Sequence, residues 1–378
     1  MKRRSTSIYI AVLLITAFIF SFLTIYAFGE HKNGGFSVSA RSAVLYQPEI
    51  DNFLYSKDAD VRLPMASTTK IMTALVALEN SVLSEIVEVE DSAIGTEGSS
   101  AYLRYGDTLT MEELLYALLL QSANDAAVAI ACHIGGDVEG FSALMNDRAC
   151  QLGLTDTHFT NPHGLDDDEH YTTARELSLI AAEAMRNPTF RKIASTYKKT
   201  FATEDRTRTY VNHNKLLRLY DGCIGVKTGF TKKSGRCLVG AAEKEGLTFI
   251  TVTLDAPSDW SDHKKMLDFG FESLEKITLA SGFDHMYKIP LLDGESEYLT
   301  VANPDGAEMI TERTEQEIAE HVRLVKYGIA PINRGDKLGE IIYTSDGKEV
   351  ARVPLVALES VKKKENKGFF EKILSIFD

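Results

Sequence analysis

The stretch LPMASTTKIMTALVALE, Leu63–Glu79, places a serine and a lysine three residues apart at the head of a run that carries no charge from Ile71 to Leu78. If that run is helical, apolar residues fall on nearly every face, so the helix belongs in the centre of a core. Residues three apart on a helix share one face, which brings the Lys70 amine to the Ser67 hydroxyl. The pattern Ser-x-x-Lys is weak by itself, since it recurs at Ser195, Ser261, Ser273, Ser345 and Ser360. What distinguishes Ser67 is its place at the start of a buried helix. The plain alternative is a helix cap with a charge one turn along.

A lysine acts as a base only when it is substantially neutral. Its ordinary pKa near 10.4 must then fall by about 3 units, roughly 4 kcal/mol, which desolvation and a neighbouring cation can supply. A second cation is offered by VKTGF, in which Lys227, Thr228 and Gly229 close a strand-like run. A given Lys-Thr-Gly is expected by chance in only about one chain in ten of this length. Lys227 brings an ammonium, Thr228 a hydroxyl, and Gly229 room for a ligand backbone. Such a strand edge suits an extended peptide and its terminal carboxylate. The third element is QSAND, where Ser122 and Asn124 lie between two helix-like runs. Alone it reads as a loop or cap. In combination, Ser122 can pass a proton to a leaving amine and Asn124 can bind a substrate amide.

The 378 residues are 44% hydrophobic and 25% charged, enough for one large domain and a smaller one. A net charge of −13 argues against nucleic acid, which needs a cationic field. Cys132, Cys150, Cys223 and Cys237 are too scattered for a disulfide framework or a zinc site. Cys223 and Cys237 flank a possible hairpin and could pair across it, but free thiols are the simpler reading. There is no HExxH, CxxC or GxSxG, so neither a metal nor a cofactor nor an elbow serine is expected.

Residues 1–29 run from Lys2, Arg3 and Arg4 into an uncharged stretch, Ile8 to Phe28, with small residues at Ala27 and Gly29. This predicts an export signal, or an uncleaved anchor since the apolar part is long enough to span a bilayer. The remainder is expected on the extracytoplasmic side. Strand-like runs stand near Leu45 and Leu54 and again at GCIGVKTG, RCLVGAA and LTFITVTLD, with helical signals between. That arrangement predicts an α+β domain over 36–276, an antiparallel sheet built from both ends of the segment and backed by helices. Short β-like stretches with turn pairs at Asp293, Asp305 and Asp346 predict a small all-β domain over 278–360. In the tail, 361–378, Phe369, Phe370, Ile373, Leu374, Ile376 and Phe377 share one side of a helix behind a lysine run. That pattern suits a helix lying on an anionic membrane surface.

In order along the chain, Ser67-x-x-Lys70, Ser122-x-Asn124 and Lys227-Thr228-Gly229 resemble the three motifs of penicillin-binding proteins and class A β-lactamases. More closely, LPMASTTKIMTALVALE, LLLQSANDAAVAIA, FTNPHGLDDDEHYTTARELS and GVKTGFTKKSGRCLVGAA resemble the low-molecular-weight D-alanyl-D-alanine carboxypeptidases, over roughly Ser37 to Leu274. The resemblance implies a β-lactamase/transpeptidase-like fold and a serine hydrolase that trims the terminal D-alanine from peptidoglycan pentapeptide stems. It implies that Ser67 attacks with Lys70 as base, and that the N–H groups of Ser67 and Phe230 form an oxyanion hole. It implies that Ser122 relays a proton, that Lys227 and Thr228 bind the carboxylate, and that β-lactams acylate Ser67. A class A β-lactamase needs a Glu-x-x-Leu-Asn loop, and none stands between Asn124 and Lys227. A non-catalytic muropeptide or β-lactam sensor would have no need of nucleophile and base. A triad through His163 and Asp166–Asp168 is unnecessary once Lys70 is present.

Overall fold

The computed structural model describes residues 35–202, 206–314 and 317–365. The leader 1–29 and most of the tail lie outside them, and the readings made on those segments with them. The chain divides into two compact units between Glu275 and Lys276.

In the first unit, hairpin β1 (Ser42–Gln47) and β2 (Asn52–Lys57) precedes a 3-10 turn, Ala66–Thr69, that runs directly into helix α1 (Lys70–Asn80). Every residue of α1 from Lys70 to Ala77 is buried, as its all-round apolar pattern predicts. Each buried leucine or valine there contributes about 1.5–3 kcal/mol. A small ladder, β3 (Ile86–Glu88) with β4 (Thr108–Thr110), leads into α2 (Met111–Leu120). The Thr110 side chain caps α2 by accepting from the Glu113 N–H, the Thr-x-x-Glu signature of a helix start. Helices α3 (Asn124–Gly135), α4 (Val138–Gln151), α5 (Ala174–Arg186) and α6 (Pro188–Ser195) follow. The same Thr-x-x-Glu cap recurs at Thr173 for α5.

A hairpin of β5 (Lys198–Ala202) and β6 (Thr207–Val211) comes next, then a single helical turn α7 (Leu216–Leu219). This hairpin escaped the sequence reading because its strands alternate polar and half-buried residues and carry a weak apolar signal. The chain then returns through β7 (Cys223–Thr231), β8 (Gly235–Lys244) and β9 (Leu247–Leu254), and ends in α8 (Asp259–Ser273). The sheet order is β2-β1-β9-β8-β7, antiparallel throughout. Strands from both ends of the unit therefore meet, with Val44 opposite Val252. β7 is left at one edge of the sheet, beside the Ser67 turn. The four cysteines are free, and the register sets Cys237 opposite Gly229 and Cys223 opposite Ala242, so no bridge spans the hairpin.

In the second unit β10 (Leu274–Ala280) pairs with β13 (Ala307–Glu312). The other strands are β11 (Met286–Leu292), β12 (Tyr298–Ala302), β14 (Ile318–Leu324), β15 (Gly328–Ile329), β16 (Lys337–Ser345) and β17 (Lys348–Ala357). They form a six-stranded sheet ordered β14-β16-β17-β12-β11-β15. Asp346 and Gly347 both take positive φ, 49° and 73°, at the β16–β17 turn, the geometry that favours Asp-Gly in tight hairpins.

Candidate active site

Ser67 sits in the 3-10 turn, one residue after Ala66, whose φ of +49° places an alanine in the left-handed region. Backbone strain of this kind persists only where the surroundings hold it. Here the holder is a chain of hydrogen bonds. The Thr160 N–H donates to His170 Nδ1 at 3.1 Å, so the ring proton of the neutral imidazole is on Nε2 and points at Thr69 Oγ1, 2.7 Å away. Thr69 Oγ1 in turn donates to the Ala66 carbonyl at 2.8 Å. Burial holds His170 down at about 4, so the ring stays neutral.

Lys70 opens α1 and is fully buried. Its Nζ lies 2.9 Å from Ser67 Oγ, 2.6 Å from Asn124 Oδ1 and 2.5 Å from the His163 carbonyl oxygen. The Asn124 amide has its oxygen toward Lys70, because its nitrogen donates to the Glu97 carbonyl. Two of the three neighbours can therefore only accept. A neutral amine has two N–H groups and one lone pair. With both N–H groups spent on Asn124 and His163, the lone pair faces the one neighbour that can donate, the Ser67 hydroxyl. Burial pushes Lys70 well below the ordinary lysine value, and the charge of Lys227 pushes it further, against an opposing pull from Asp125.

Lys227, on β7, is also buried, and burial brings it down to about 7. Its Nζ donates to Ser122 Oγ and to the Thr228 carbonyl, each at 2.9 Å. Ser122 precedes α3 with φ +60°. Thus the second lysine meets Ser122 and not Ser67, and the Asn124 amide is engaged at both ends, with Lys70 and with Glu97. Thr228, Gly229 and the 64% exposed Phe230 stand at the mouth. A Cβ on Gly229 would lie 3.0 Å from the Ser67 nitrogen, which explains glycine at the closest approach of β7 to the turn. Gly164 is tighter still: with φ +86°, a Cβ there would fall 1.9 Å from the Ala66 carbonyl oxygen.

These groups open into a cleft of about 340 Å³ lined by Ser67, Ser99, Ser122, Thr228, Gly229 and Phe230, and by His213, Lys215, Arg236, Asp259 and Trp260. The last five, with Ser99, were not singled out in the sequence. Nor were the carbonyls of Glu97 and His163, since a backbone acceptor leaves no signature in residue type. Asp125 braces the wall: its carboxylate accepts from Ser100 Oγ and from the N–H groups of Ala101 and Leu103. The His163 ring makes no bond to Ser67. It accepts from the Leu165 N–H, and burial, with the charge of Lys70, holds it at about 3. The acidic run, expected to be merely solvated, is tied to the β7–β8 turn by Thr231 to Asp166 at 2.8 Å and Lys233 to Asp168 at 2.5 Å.

The likeness to known proteins covers both units. A family described as D-alanyl-D-alanine carboxypeptidase, Peptidase_S11, matches residues 28–258, and one described as the C-terminal domain of penicillin-binding protein 5 matches 275–363. The chain is 30% identical to D-alanyl-D-alanine carboxypeptidase DacF of Bacillus subtilis over 96% of its own length and 95% of the relative's. It is 30% identical to DacC of Escherichia coli over 95% and 92%. Among solved structures, penicillin-binding protein 5 from Haemophilus influenzae superposes with a TM-score of 0.64 at 27% identity, covering 86% of this chain and 98% of that one. Two matched families, full-length relatives and a cleft lined by residues of three separate motifs agree: the chain belongs to the D-alanyl-D-alanine carboxypeptidase family, Peptidase_S11.

Proposed function

We propose that this chain is a serine-type D-Ala-D-Ala carboxypeptidase that removes the terminal D-alanine from peptidoglycan stems through an acyl-enzyme on Ser67. The observation that carries the reading is the Lys70 amine, held by two obligate acceptors with its third direction on Ser67 Oγ. As Oγ bonds to the carbonyl carbon between the two D-alanines, its proton passes to Lys70 Nζ. The developing oxyanion is received by the N–H groups of Ser67 and Phe230. The C–N bond then breaks, and the departing amine takes a proton through Ser122. A water molecule gives its proton to Lys70 as its oxygen attacks the ester carbon, and Lys70 returns that proton to Ser67 Oγ as the ester C–O bond breaks, which frees Ser67 and the shortened stem. Support for peptide binding comes from β7, an edge strand whose residues Thr228 to Phe230 line the cleft. Lys227 and Thr228 receive the substrate carboxylate. β-Lactams present a similar carbonyl and carboxylate and acylate the same serine.

The site of action is the cell envelope, on the extracytoplasmic side. The tail is proposed to hold the second unit on a membrane surface. The described chain runs to Glu365 beside Asp293, whose carbonyl accepts from the Lys364 N–H. Leu292 and Ile329, neighbours in register, are 48% and 60% exposed at that edge, and Lys362, Lys363 and Lys364 follow there. Among the described residues no single helix is long and apolar enough to cross a bilayer.

The deciding experiment is D-alanine release from diacetyl-Lys-D-Ala-D-Ala by purified protein, with Ser67→Ala alongside. Release by the wild type and none by the variant is expected. A wild type that binds penicillin but releases nothing would overturn the reading.

A further inference from the structure

The loop that carries Ser99 into the cleft holds an aromatic ring out in solvent. Tyr102, three residues on, is 78% exposed, and Tyr105 on the same loop is 71% exposed. An exposed ring alone needs no explanation. Tyr102, however, sits at a φ of +56°, a left-handed conformation that is strained for a bulky side chain and persists only where its surroundings impose it. Here they do. The Tyr102 N–H donates to Ser100 Oγ at 2.8 Å, and its carbonyl accepts from Arg206 Nη2 at 3.1 Å. Ser100 Oγ and the N–H groups of the flanking Ala101 and Leu103 all donate to the Asp125 carboxylate, at 2.6, 2.9 and 3.1 Å. Asp125 follows Asn124, whose own N–H donates to the Ser99 carbonyl at 2.7 Å. The ring is thus fixed in place without burial to offset the strain, and it is braced from the segment that orients the Lys70 amine.

Distance decides what such a ring can meet. Ser99 lines the cleft together with Ser67, and three residues of chain keep Tyr102 within about 11 Å of it. In a pentapeptide stem the four residues before the scissile bond span about 14 Å when extended. The far end of the stem is joined to a sugar, so the glycan of a stem bound at Ser67 comes within range of this loop. A tyrosine ring offers a flat apolar face and one hydroxyl, which match the C–H face and the hydroxyls of an uncharged pyranose.

We propose that Tyr102 is a stacking platform for the glycan of the substrate, so that a sugar-bearing stem is bound in preference to a free peptide. The inference rests on the carboxypeptidase reading and names a further part of the substrate for the same site. The test compares a pentapeptide ending in D-Ala-D-Ala with the same peptide joined to its disaccharide, on wild type, Tyr102→Ala and Tyr102→Phe. D-Alanine release is the readout, and penicillin acylation of Ser67 checks that the site is in order. Wild type is expected to show the lower KM on the disaccharide peptide. Tyr102→Ala raises that KM about 3- to 10-fold, the range of one aromatic contact, and leaves kcat, the free peptide and penicillin acylation unchanged. Tyr102→Phe, which keeps the ring, keeps the preference. Equal KM for the two substrates in the wild type, an undiminished preference in Tyr102→Ala, or equal losses on both substrates would overturn the proposal. A wild type that releases D-alanine from neither substrate would count instead against the carboxypeptidase reading itself.

Discussion

The Asn124 side-chain oxygen lies 2.6 Å from Lys70 Nζ, while its nitrogen is held by the Glu97 carbonyl. Asn124 therefore fixes the direction of the Lys70 amine, and the Lys70 lone pair reaches Ser67 because of it. Replacing the amide by a carboxylate of the same shape, Asn124→Asp, removes that selection: an anion 2.6 Å away would hold Lys70 as an ammonium. Acylation by penicillin near pH 7 is expected to fall about 100-fold, with the alkaline-rising limb of its pH profile displaced upward. Stopped-flow acylation rates against pH check this, and an unmoved limb would contradict it.

Lys227 bears on stability as well as binding. Burial takes it from the ordinary lysine value down to about 7 in the folded state. Between about pH 7 and the unfolded value the unfolded chain binds more protons, so stability rises with pH across that window. Below about pH 7 the lysine is charged in both states and its desolvation penalty is fully present. Lys227→Met is therefore expected to raise the melting temperature at pH 6 by a few degrees while lowering carboxypeptidase activity by more than about 100-fold. Calorimetry with D-alanine assays on the same samples tests both halves. A fall in melting temperature would refute the first.

Gly164 has no room for a methyl group, with a Cβ only 1.9 Å from the Ala66 carbonyl oxygen and a positive φ. Gly164→Ala should cost about 2–4 kcal/mol in urea unfolding. The loop must shift, and with it the His163 carbonyl that accepts from Lys70. Wild-type stability together with wild-type acylation would show the approach to be looser than described.

His170 works as a neutral link between the Thr160 N–H and Thr69. His170→Ala breaks the link and should destabilise by about 1–3 kcal/mol. Because the ring is held near 4 by burial, its protonation does not contribute to activity between about pH 6 and 8. His170→Gln, which can both accept and donate, should retain more activity than alanine while leaving the pH profile in place. A profile that moves with this substitution would assign His170 a proton-transfer role.

Much of this architecture could be read from local pattern. The central helix is apolar on every face, and the strands lie at both ends of their segment, so burial and sheet composition follow from residue type alone. Ser67, Lys70, Ser122, Asn124 and Lys227 stood out as chemistry in search of neighbours. Spacing alone paired Lys70 with Ser67, but the other pairings were not legible. Lys227 meets Ser122 and Asn124 meets Lys70 through contacts across 105 and 54 residues of sequence, and only the fold sets which donor meets which acceptor. The Glu97 and His163 carbonyls were invisible because every residue has one. Arg236 carried no signal in the sequence; the sheet sets it against the buried Asp259 in the wall of the cleft. The β5–β6 hairpin was missed for the opposite reason, having too little apolar contrast to announce itself.

The central claim is that Lys70 serves as a neutral base for Ser67, and the pH dependence of penicillin acylation in wild type and Lys70→Arg measures it most directly, with the labelled residue identified by mass spectrometry. The account predicts an adduct on Ser67, a wild-type rate that rises through an ionisation well below the ordinary lysine range, and acylation slowed by at least about 1000-fold in Lys70→Arg, whose guanidinium does not deprotonate. An adduct on another serine, or an arginine variant that acylates at the wild-type rate, would contradict it.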